Sequence, residues 1–292
     1  MIDLFKRKAV SAVADEHGSS ICVWGPVGSP GKTTLAINLA CELSLAGKRT
    51  LLIDLDTYAP SIAQSLGLGE QQPGLAAAAR LVGQNRLDQE QLERLAISYE
   101  VGSGRLAVLA GLGTAVRWPE ISSEKTQSLI AIASQFFDHV IVDVGSPLEP
   151  GVRLIGGVVD RNTAARAAIQ ACDNAVAVFS ADPLGVSRFL EVFEQFDGLR
   201  EGGILVANRL RASALGQRPR RQVEDAIMQF CRRDVDAFID SDAESCDRAA
   251  LEAVPLAMMK RSSKARQSIA QFARLNILNQ VGLASMPVAK LD

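Results

Sequence analysis

Residues 25–34 read Gly-Pro-Val-Gly-Ser-Pro-Gly-Lys-Thr-Thr. An apolar run at 21–24 precedes this stretch, and an apolar-periodic segment at 35–40 follows it. A strand, a glycine-rich turn and a helix that opens with Gly-Lys-Thr, in that order, are typical of a loop that binds phosphate groups. The alternative is a glycine-rich turn that binds nothing, but such a turn does not require Lys-Thr at the start of the helix. We therefore predict a phosphate-binding loop between the first strand and the first helix.

The residue types of this loop suit phosphate chemistry. Glycines let successive backbone N–H groups turn inward toward a phosphate. The N-terminus of the following helix adds unpaired donors and a partial positive charge. Lys32 supplies a cation for the outer phosphates, and the Thr33 hydroxyl is placed to bind Mg²⁺. The loop therefore predicts a bound nucleoside triphosphate with its magnesium ion.

Carboxylates end two further apolar runs. Residues 49–56 form a continuous apolar strand that ends in Asp54 and Asp56, and residues 137–146 contain a second strand that ends in Asp143, followed by glycine. Doubly wound sheets place their ligands at the carboxyl ends of the strands, so we expect these carboxylates near the phosphate loop. Asp54 and Asp56 suit a water-positioning or Mg²⁺-linked role, and Asp143 suits a carboxylate beside the metal. A helix cap followed by a turn is the alternative for Asp54 and Asp56.

A third polar strand end follows the buried run at 203–209. Asn208 and Arg209 close that run, and the paired donor and acceptor of an asparagine amide could read a purine edge. The next segment, 210–221, is basic and contains proline and glycine. A solvated loop and a nucleic-acid contact both remain open for it.

Composition limits the class of protein. With 48% hydrophobic and 22% charged residues, the 292-residue chain has ample material for a globular core. Aromatic residues are scarce while aliphatic ones abound, which suits helices packed on a parallel sheet. The formal net charge of −2 provides no global field for nucleic acid or acidic membrane, so any such contact would be a local patch.

Cysteine usage and hydropathy indicate the compartment. The five cysteines are far apart and form no C-x-x-C pair, which favours a reducing environment. Cys22 and Cys172 are predicted to be small buried hydrophobes. No run of 18 apolar residues occurs, and the N-terminal residues lack a signal-peptide core. We expect a cytoplasmic protein without stable membrane insertion.

Strand and helix patterns alternate along the chain and predict one domain at 19–283, between a lead-in at 1–18 and a tail at 284–292. The lead-in is interpreted as a solvated tail, with contact to an acidic membrane as the alternative. Asp88 and Ser122 are predicted helix caps. Residues 118–120 are predicted to lie in a loop, where Trp118 either packs on the protein or faces a partner. The glycine-rich segment 148–162 is predicted to be a mobile connection.

Three stretches together resemble the MinD/ParA branch of the P-loop ATPases: residues 28–40, 52–56 and 140–143. The ordinary G-x-x-x-x-G-K-[ST] pattern would require a glycine at position 26, where this chain has proline. The deviant x-K-G-G-x-G-K-[ST] loop of that branch fits better, with Ser29 at its second glycine. Residues 118–120 and 160–162 are similar in appearance to CpaE/TadZ-like proteins of pilus assembly. The resemblance covers residues 20–273.

This resemblance implies a fold and a mode of action. The fold is α/β, a doubly wound, mostly parallel sheet of about seven or eight strands flanked by helices. ATP and Mg²⁺ would be bound between the subunits of a homodimer. Such enzymes are slow hydrolases that act as switches and position or assemble other proteins. Recruitment to a membrane or cell pole would then go through a protein partner.

The resemblance also assigns roles to single residues. Lys32 would contact the β- and γ-phosphates, and Asp56, assisted by Asp54, would position or activate the water. Thr33 would ligate Mg²⁺ directly, and Asp143 would do so through water. Thr34 would contact the α-phosphate and Asn208 would recognise adenine. The implied nucleotide-binding residues are Gly28, Ser29, Pro30, Gly31, Lys32, Thr33, Thr34, Asn208 and Arg209.

Val27 is the main departure, because the family pattern has a lysine at this position that reaches the partner subunit's phosphates. Valine carries no charge, so a non-hydrolysing ATP-binding scaffold is one alternative function; Arg153 or Arg161 could replace the lysine. A ParA-like partition ATPase is another, with non-specific DNA binding through basic residues. A MinD-like membrane switch ranks last because the tail has no basic amphipathic helix. The candidate DNA-binding residues are Arg218, Arg220, Arg221, Lys260, Arg261, Lys264 and Arg266.

Overall fold

The computed structural model describes residues 17–28, 30–69, 74–154, 157–195, 203–259 and 263–279. Several parts of the sequence that carry predictions lie outside these ranges. They are nearly all of the lead-in, Ser29, the last residues of the predicted domain, Lys260, Arg261 and the tail at 284–292. The backbone of Arg153 is described, but its side chain is not.

Ten strands are present in the described part of the chain. They are β1 (Ser19–Trp24), β2 (Thr50–Leu55), β3 (Ile97–Val101), β4 (Gly104–Leu109), β5 (His139–Val144), β6 (Val152–Leu154), β7 (Gly157–Val159), β8 (Asn174–Ser180), β9 (Ile204–Leu210) and β10 (Ala237–Asp240). Eight of them form one sheet in the order β10-β9-β8-β1-β5-β2-β4-β3. All neighbours in it pair in parallel except β3, which is antiparallel to β4. The predicted fold class, a mostly parallel α/β sheet of seven or eight strands, is confirmed.

Helices cover both faces of the sheet. They are α1 (Lys32–Leu45), α2 (Ile62–Ser65), α3 (Gly74–Gly83), α4 (Gln89–Leu95), α5 (Ser123–Phe136), α6 (Thr163–Ala171), α7 (Pro183–Gln195), α8 (Ala212–Leu215), α9 (Pro219–Cys231), α10 (Ala243–Glu252) and α11 (Lys264–Phe272). Helices α3, α5, α6, α7 and α9 bury apolar side chains against one face. Helices α1, α10 and α11 bury theirs against the other. The central strands are apolar throughout because both of their faces are covered.

The predicted caps and buried cysteines are confirmed. Asp88 Oδ1 accepts a hydrogen bond from the Gln91 amide at 2.8 Å, and Ser122 Oγ accepts one from the Lys125 amide at 3.3 Å. Each cap uses a donor that the first turn of a helix leaves unpaired. Cys22 and Cys172 are only 0% and 7% exposed. Both thiols therefore pack as small apolar groups.

Several segments differ from the sequence predictions. β3 was not predicted, because residues 97–101 form a half-exposed edge strand whose pairing depends on its hairpin with β4. Residues 118–120, predicted to lie in a loop, belong to a 3₁₀ helix at Ala115–Glu120, in which Trp118 packs against the core on the α3 and α5 face.

Two connections also contain regular structure that the prediction lacked. The connection at 148–162 contains an antiparallel pair, β6 with β7. The basic segment 210–221 contains α8 and the start of α9, where proline occupies the first helical position. Within the described residues, no helix is both long and apolar enough to cross a membrane.

Candidate nucleotide-binding site

The glycine-rich loop connects β1 to α1 at the carboxyl edge of the sheet. β1 lies between β5 and β8, so the loop is flanked by the ends of two other parallel strands. Gly31 has φ +92°, and a Cβ at this position would lie 2.4 Å from Asn208 Nδ2. Gly31 is also the N-cap of α1, so no side chain there occupies the donors of the first turn. Those N–H groups remain available to an anion, as the sequence predicts.

Lys32 is connected to the loop that follows β5. Its ammonium group donates to Ser146 Oγ at 2.9 Å, and Ser146 Oγ in turn lies 3.4 Å from the Pro26 carbonyl oxygen. The Trp24 indole N–H donates to the Ser146 carbonyl oxygen at 2.9 Å. Residues 145–147, which the sequence suggests as the γ-phosphate-sensing loop, therefore contact the phosphate loop through Ser146.

Thr33 and Asp143, the two residues predicted to bind the metal, lie next to each other. Thr33 Oγ1 donates to Asp143 Oδ2 at 2.6 Å. Asp143 is only 1% exposed, and its Oδ1 has no hydrogen-bond partner among the described residues. Burial, followed by the nearby charge of Asp54, raises the pKa of Asp143 to about 8. A hydroxyl and an unpartnered carboxylate oxygen are hard oxygen donors, so these residues fit Mg²⁺.

Asp54 stands opposite Asp143 in the pairing of β2 with β5. Its Oδ2 accepts from the backbone amides of Ser61 and Ile62 at 2.9 and 3.0 Å. Its Oδ1 accepts from the Asp56 amide at 3.3 Å, and burial raises the pKa of Asp54 to about 7. These are the contacts of a carboxylate that holds the start of α2, as in the helix-cap alternative. They do not test the catalytic role.

Asp56 is less buried than Asp54, and only one of its two carboxylate oxygens accepts hydrogen bonds from the described residues. Its Oδ1 accepts from the amides of Tyr58 and Ala59 at 2.8 and 3.0 Å. A Cβ at Gly145 would lie 3.2 Å from the same oxygen, so Asp56 faces the end of β5. Asp56 Oδ2 bonds to none of the described residues. Of the two carboxylates at this strand end, Asp56 is the better placed to accept from a water molecule.

Arg161 fixes the loop that follows Asp56. Its Nη2 donates to the Thr57 carbonyl oxygen at 2.5 Å, and its guanidinium lies 4.0 Å from the centroid of the Tyr58 ring. The Tyr58 hydroxyl donates to Asn162 Oδ1 at 2.7 Å. Arg161 therefore reaches the candidate site through Thr57 and Tyr58, which is compatible with a positioning role.

Asn208 lies under the phosphate loop. Its Nδ2 donates to the Pro30 carbonyl oxygen at 2.7 Å, and its Oδ1 accepts from the Arg209 amide at 2.8 Å. Both ends of the amide are therefore engaged with backbone, and a purine would have to replace one of them. Arg209 is exposed with φ +59°, and Thr34 is exposed in the first turn of α1. The roles predicted for these three residues remain predictions.

Arg188 is a residue near the loop that the sequence reasoning missed. It lies on α7, and a Cβ at Gly28 would be only 2.1 Å from Arg188 Nη1. No local motif surrounds Arg188, and its proximity to the loop arises only because α7 follows β8, the neighbour of β1.

The basic residues proposed for DNA binding are partly engaged elsewhere. Arg266 Nε donates to Glu42 Oε1 at 2.8 Å, and Arg220 lies 4.6 Å from the centroid of the Phe238 ring. Arg221 lies 3.7 Å from Asp225. These contacts neutralise or occupy part of the set, so the described residues give no added support to a DNA-binding patch.

A parallel sheet with this loop after β1 and carboxylates on the adjacent strand ends defines a P-loop nucleoside triphosphatase fold. The family model described as "CobQ/CobB/MinD/ParA nucleotide binding domain" matches residues 21–252, and the chain belongs to this family.

Individual relatives and structures agree with this assignment. The septum site-determining protein MinD of Bacillus subtilis strain 168 is 24% identical over 278 residues, covering 94% of this chain and 93% of MinD. An iron–sulfur cluster carrier protein of Deinococcus radiodurans is 31% identical over 119 residues. That match covers 40% of this chain and 31% of the carrier protein, so the chain spans less than a third of that relative.

Two solved structures have the same fold. A ParA family ATPase from Chlorobium tepidum TLS superposes with a TM-score of 0.70 at 18% identity, covering 88% of this chain and 99% of that one. MinD from Pyrococcus horikoshii OT3, complexed with Mg-ADP, gives a TM-score of 0.69 at 17% identity, covering 92% of this chain and all of that one, 100%. At such identities the likeness concerns the fold alone.

Proposed function

We propose that this chain is a Mg²⁺-dependent ATP-binding switch with slow ATPase activity. The observation that carries the proposal is the buried Thr33–Asp143 pair, with Asp143 Oδ1 unpartnered, beside Lys32 at the open N-terminus of α1. A buried carboxylate without a partner is costly, and a bound cation removes that cost. The family's nucleotide-binding character and the Mg-ADP complex of the Pyrococcus horikoshii relative support the same ligand.

In this proposal each side chain of the site has a separate role in binding or hydrolysing ATP. Lys32 and the loop amides bind and orient the phosphates, and Thr33 with Asp143 holds the metal. When bound there, a Mg²⁺ ion would supply positive charge to offset that of the phosphates. Asp56 accepts a hydrogen bond from the attacking water through its free oxygen, and Asp54 fixes the loop on which Asp56 lies.

The Lys32–Ser146 bond gives the switch a physical basis. When Lys32 turns to a phosphate it exchanges the Ser146 hydroxyl for a charged acceptor, which is the stronger partner. Ser146 then leads through residues 147–151 to the β6–β7 pair. We propose that a change in the nucleotide shifts Ser146 and, through this connection, the β6–β7 pair, where Val152 is 65% exposed.

We further propose the finer role of a CpaE/TadZ-like positioning or assembly factor that acts as an ATP-dependent homodimer in the cytoplasm. Its partner would be a protein of an assembly or secretion machine, through which it reaches a membrane or pole. The support is the resemblance of residues 118–120 and 160–162 to such proteins. A non-hydrolysing scaffold is the competing role because Val27, which is 59% exposed, adds no charge to the loop.

A titration with ATP and Mg²⁺ tests the core of the proposal. Bound nucleotide, released phosphate and particle mass are measured for the wild type, Lys32→Met, Thr33→Val and Val27→Lys. Lys48→Met is the matched control, because Lys48 is exposed before β2 at the opposite end of the sheet.

We expect the wild type to bind ATP, Lys32→Met to weaken binding at least about tenfold, and Lys48→Met to change nothing. Turnover gained only with Val27→Lys would support the scaffold over the hydrolase. Absence of ATP binding by the wild type would overturn the proposal.

The role of Arg161 is tested separately by single-turnover hydrolysis. Arg161→Ala removes the contact with the Thr57 carbonyl oxygen, so the loop after Asp56 loses its anchor and the hydrolysis step slows. Arg153→Ala is measured beside it, and Arg105→Ala, an exposed arginine at the start of β4, is the control. Wild-type rates in both Arg161→Ala and Arg153→Ala would exclude either arginine as the replacement for the missing lysine.

A further inference from the structure

We propose that Arg188 is a second phosphate-binding cation of the loop and contacts the polyphosphate of the bound nucleotide directly. This inference rests on the proposed function and specifies which charge the substrate needs. Arg188 lies on α7, the helix that follows β8, and is far from the loop in sequence.

The guanidinium of Arg188 is in close contact with the loop backbone. A Cβ built at Gly28 would lie 2.1 Å from Nη1 and 3.1 Å from Cζ of Arg188. Gly28 has φ +110°, a conformation that favours glycine on its own account. The absence of a side chain at Gly28 therefore serves two purposes: it allows the turn, and it leaves the space that Arg188 occupies.

Packing holds Arg188 at this position. The next residue, Phe189, is fully buried and stacks on Phe179 of β8 with ring centroids 4.5 Å apart. Phe193, one turn further along α7, lies 5.9 Å from Phe189. These contacts fix the rotation of α7 against the sheet. Because consecutive helical residues point about 100° apart, Arg188 emerges beside the buried stripe, toward the loop.

Arg188 makes no hydrogen bond or ion pair with the described residues. Asp182, which directly precedes α7, already accepts from the Ser180 hydroxyl and the Gly185 amide and faces Arg211. The guanidinium of Arg188 is partly exposed beside the glycine-rich loop, and none of the described residues accepts a hydrogen bond from it. An anion between them satisfies both sets of donors.

The distribution of positive charge around the loop also supports a role for Arg188 in phosphate binding. The loop itself contributes only Lys32, since position 27 is an exposed valine. Lys32 reaches toward the β5 side of the loop, where it meets Ser146. Arg188 comes from the β8 side. A triphosphate in the loop would therefore meet one cation on each flank.

Binding measurements on the full chain test this inference without relying on turnover. Affinities for ATP, AMP and inorganic tripolyphosphate are measured for the wild type, Arg188→Gln and Arg188→Lys. Arg105→Gln is the matched control, because Arg105 is exposed at the amino end of β4. The melting temperature without nucleotide is recorded for each variant.

We expect Arg188→Gln to weaken ATP and tripolyphosphate about ten- to a hundredfold, the range of a charged hydrogen bond. AMP affinity and the nucleotide-free melting temperature should stay at the wild-type values, Arg188→Lys should recover part of the loss, and Arg105→Gln should behave as wild type. Equal losses for AMP and ATP would mean that Arg188 only shapes the loop, and would overturn the inference. So would unchanged affinities for ATP and tripolyphosphate.

A second variant probes the same contact from the other side. Gly28→Ala places a methyl group where Nη1 lies and so displaces the guanidinium. In the Arg188→Gln background, Gly28→Ala should lower the affinity for ATP by a smaller factor than it does in the wild type. Full additivity of the two losses would count against the contact. If the wild type itself binds neither ATP nor tripolyphosphate, the proposed function fails first.

Discussion

Asp54 and Asp143 place two buried carboxyl groups on neighbouring strands at the same level of the sheet. Each is about 1% exposed, and they stand opposite one another in the β2–β5 pairing. Burial is the main reason that the pKa values rise, to about 7 for Asp54 and about 8 for Asp143, and the nearby charge of Asp54 adds to the rise at Asp143. Two buried carboxyl groups without a cation cost stability when they ionise, so the pair should destabilise the nucleotide-free protein as pH rises.

This cost can be measured with Asp143→Asn. A carboxyl whose native pKa exceeds its unfolded value destabilises the native state as pH rises, because the unfolded chain ionises first. In nucleotide-free protein we therefore expect the variant to raise the free energy of unfolding at pH 8 by a few kcal/mol. The gain should shrink as the pH falls toward 5, where the native carboxyl is protonated. Urea unfolding at both pH values measures it.

The control for this prediction is Asp225→Asn on α9, whose side chain is 72% exposed. We expect it to change stability by less than about 0.5 kcal/mol at either pH. A loss of stability in Asp143→Asn at pH 8, or an equal gain at both pH values, would contradict the burial argument.

At the scale of single elements, short helices depend on their caps. Helix α4 has seven residues, and Asp88 accepts from the Gln91 amide at its start. Isolated helices of this length are not stable in water, so the folding of α4 depends on its cap and on the packing of Leu92. We expect Asp88→Ala to lower the free energy of unfolding by about 1 kcal/mol in urea denaturation. Glu100→Ala, at a 76% exposed position, is the control and should be nearly neutral; equal effects would exclude the cap as the cause.

The strand β1 offers a direct report on the loop. Trp24 ends β1 and its indole donates to the Ser146 carbonyl oxygen, while Lys32 holds the Ser146 hydroxyl. If Lys32 leaves Ser146 for a phosphate, the surroundings of Trp24 change. In a Trp118→Phe background, which removes the other tryptophan, Mg²⁺-ATP should shift the emission of Trp24. The same titration of Lys32→Met should leave it unchanged, and a shift of equal size there would contradict the coupling.

At the scale of the whole molecule, ligand binding should stabilise the fold. A ligand at a hundredfold its Kd adds about 2.7 kcal/mol to the free energy of unfolding, which raises Tm by several degrees for a domain of this size. We expect Mg²⁺-ATP to do so for the wild type, and EDTA to remove most of the shift because the metal pair is then empty. Asp143→Asn should show a smaller shift than the wild type. A thermal scan with AMP, which lacks the outer phosphates, is the control.

Local chemistry made much of the site predictable. The order of strand, glycine-rich turn and Gly-Lys-Thr helix places Lys32 and Thr33 by chain continuity, and Asp143 follows because parallel strands end at one edge. The caps at Asp88 and Ser122 are also local, since a cap acts within one turn. The antiparallel β3 was not predictable in the same way, because a half-exposed edge strand is defined by its partner more than by its own pattern.

The remaining features depend on residues that only the folded sheet brings together. The sequence by itself determined the glycine-rich turn before α1, the strand-end carboxylates and the α/β class, because each of these depends on residues that are neighbours in the chain. The tertiary structure decided that Asp143 keeps an unpartnered oxygen, that Asn208 bonds to Pro30, and that Arg188 lies against Gly28. The physical reason is that burial and contact between distant segments depend on strand order and on how each helix packs, and neither can be read from the residues of one segment.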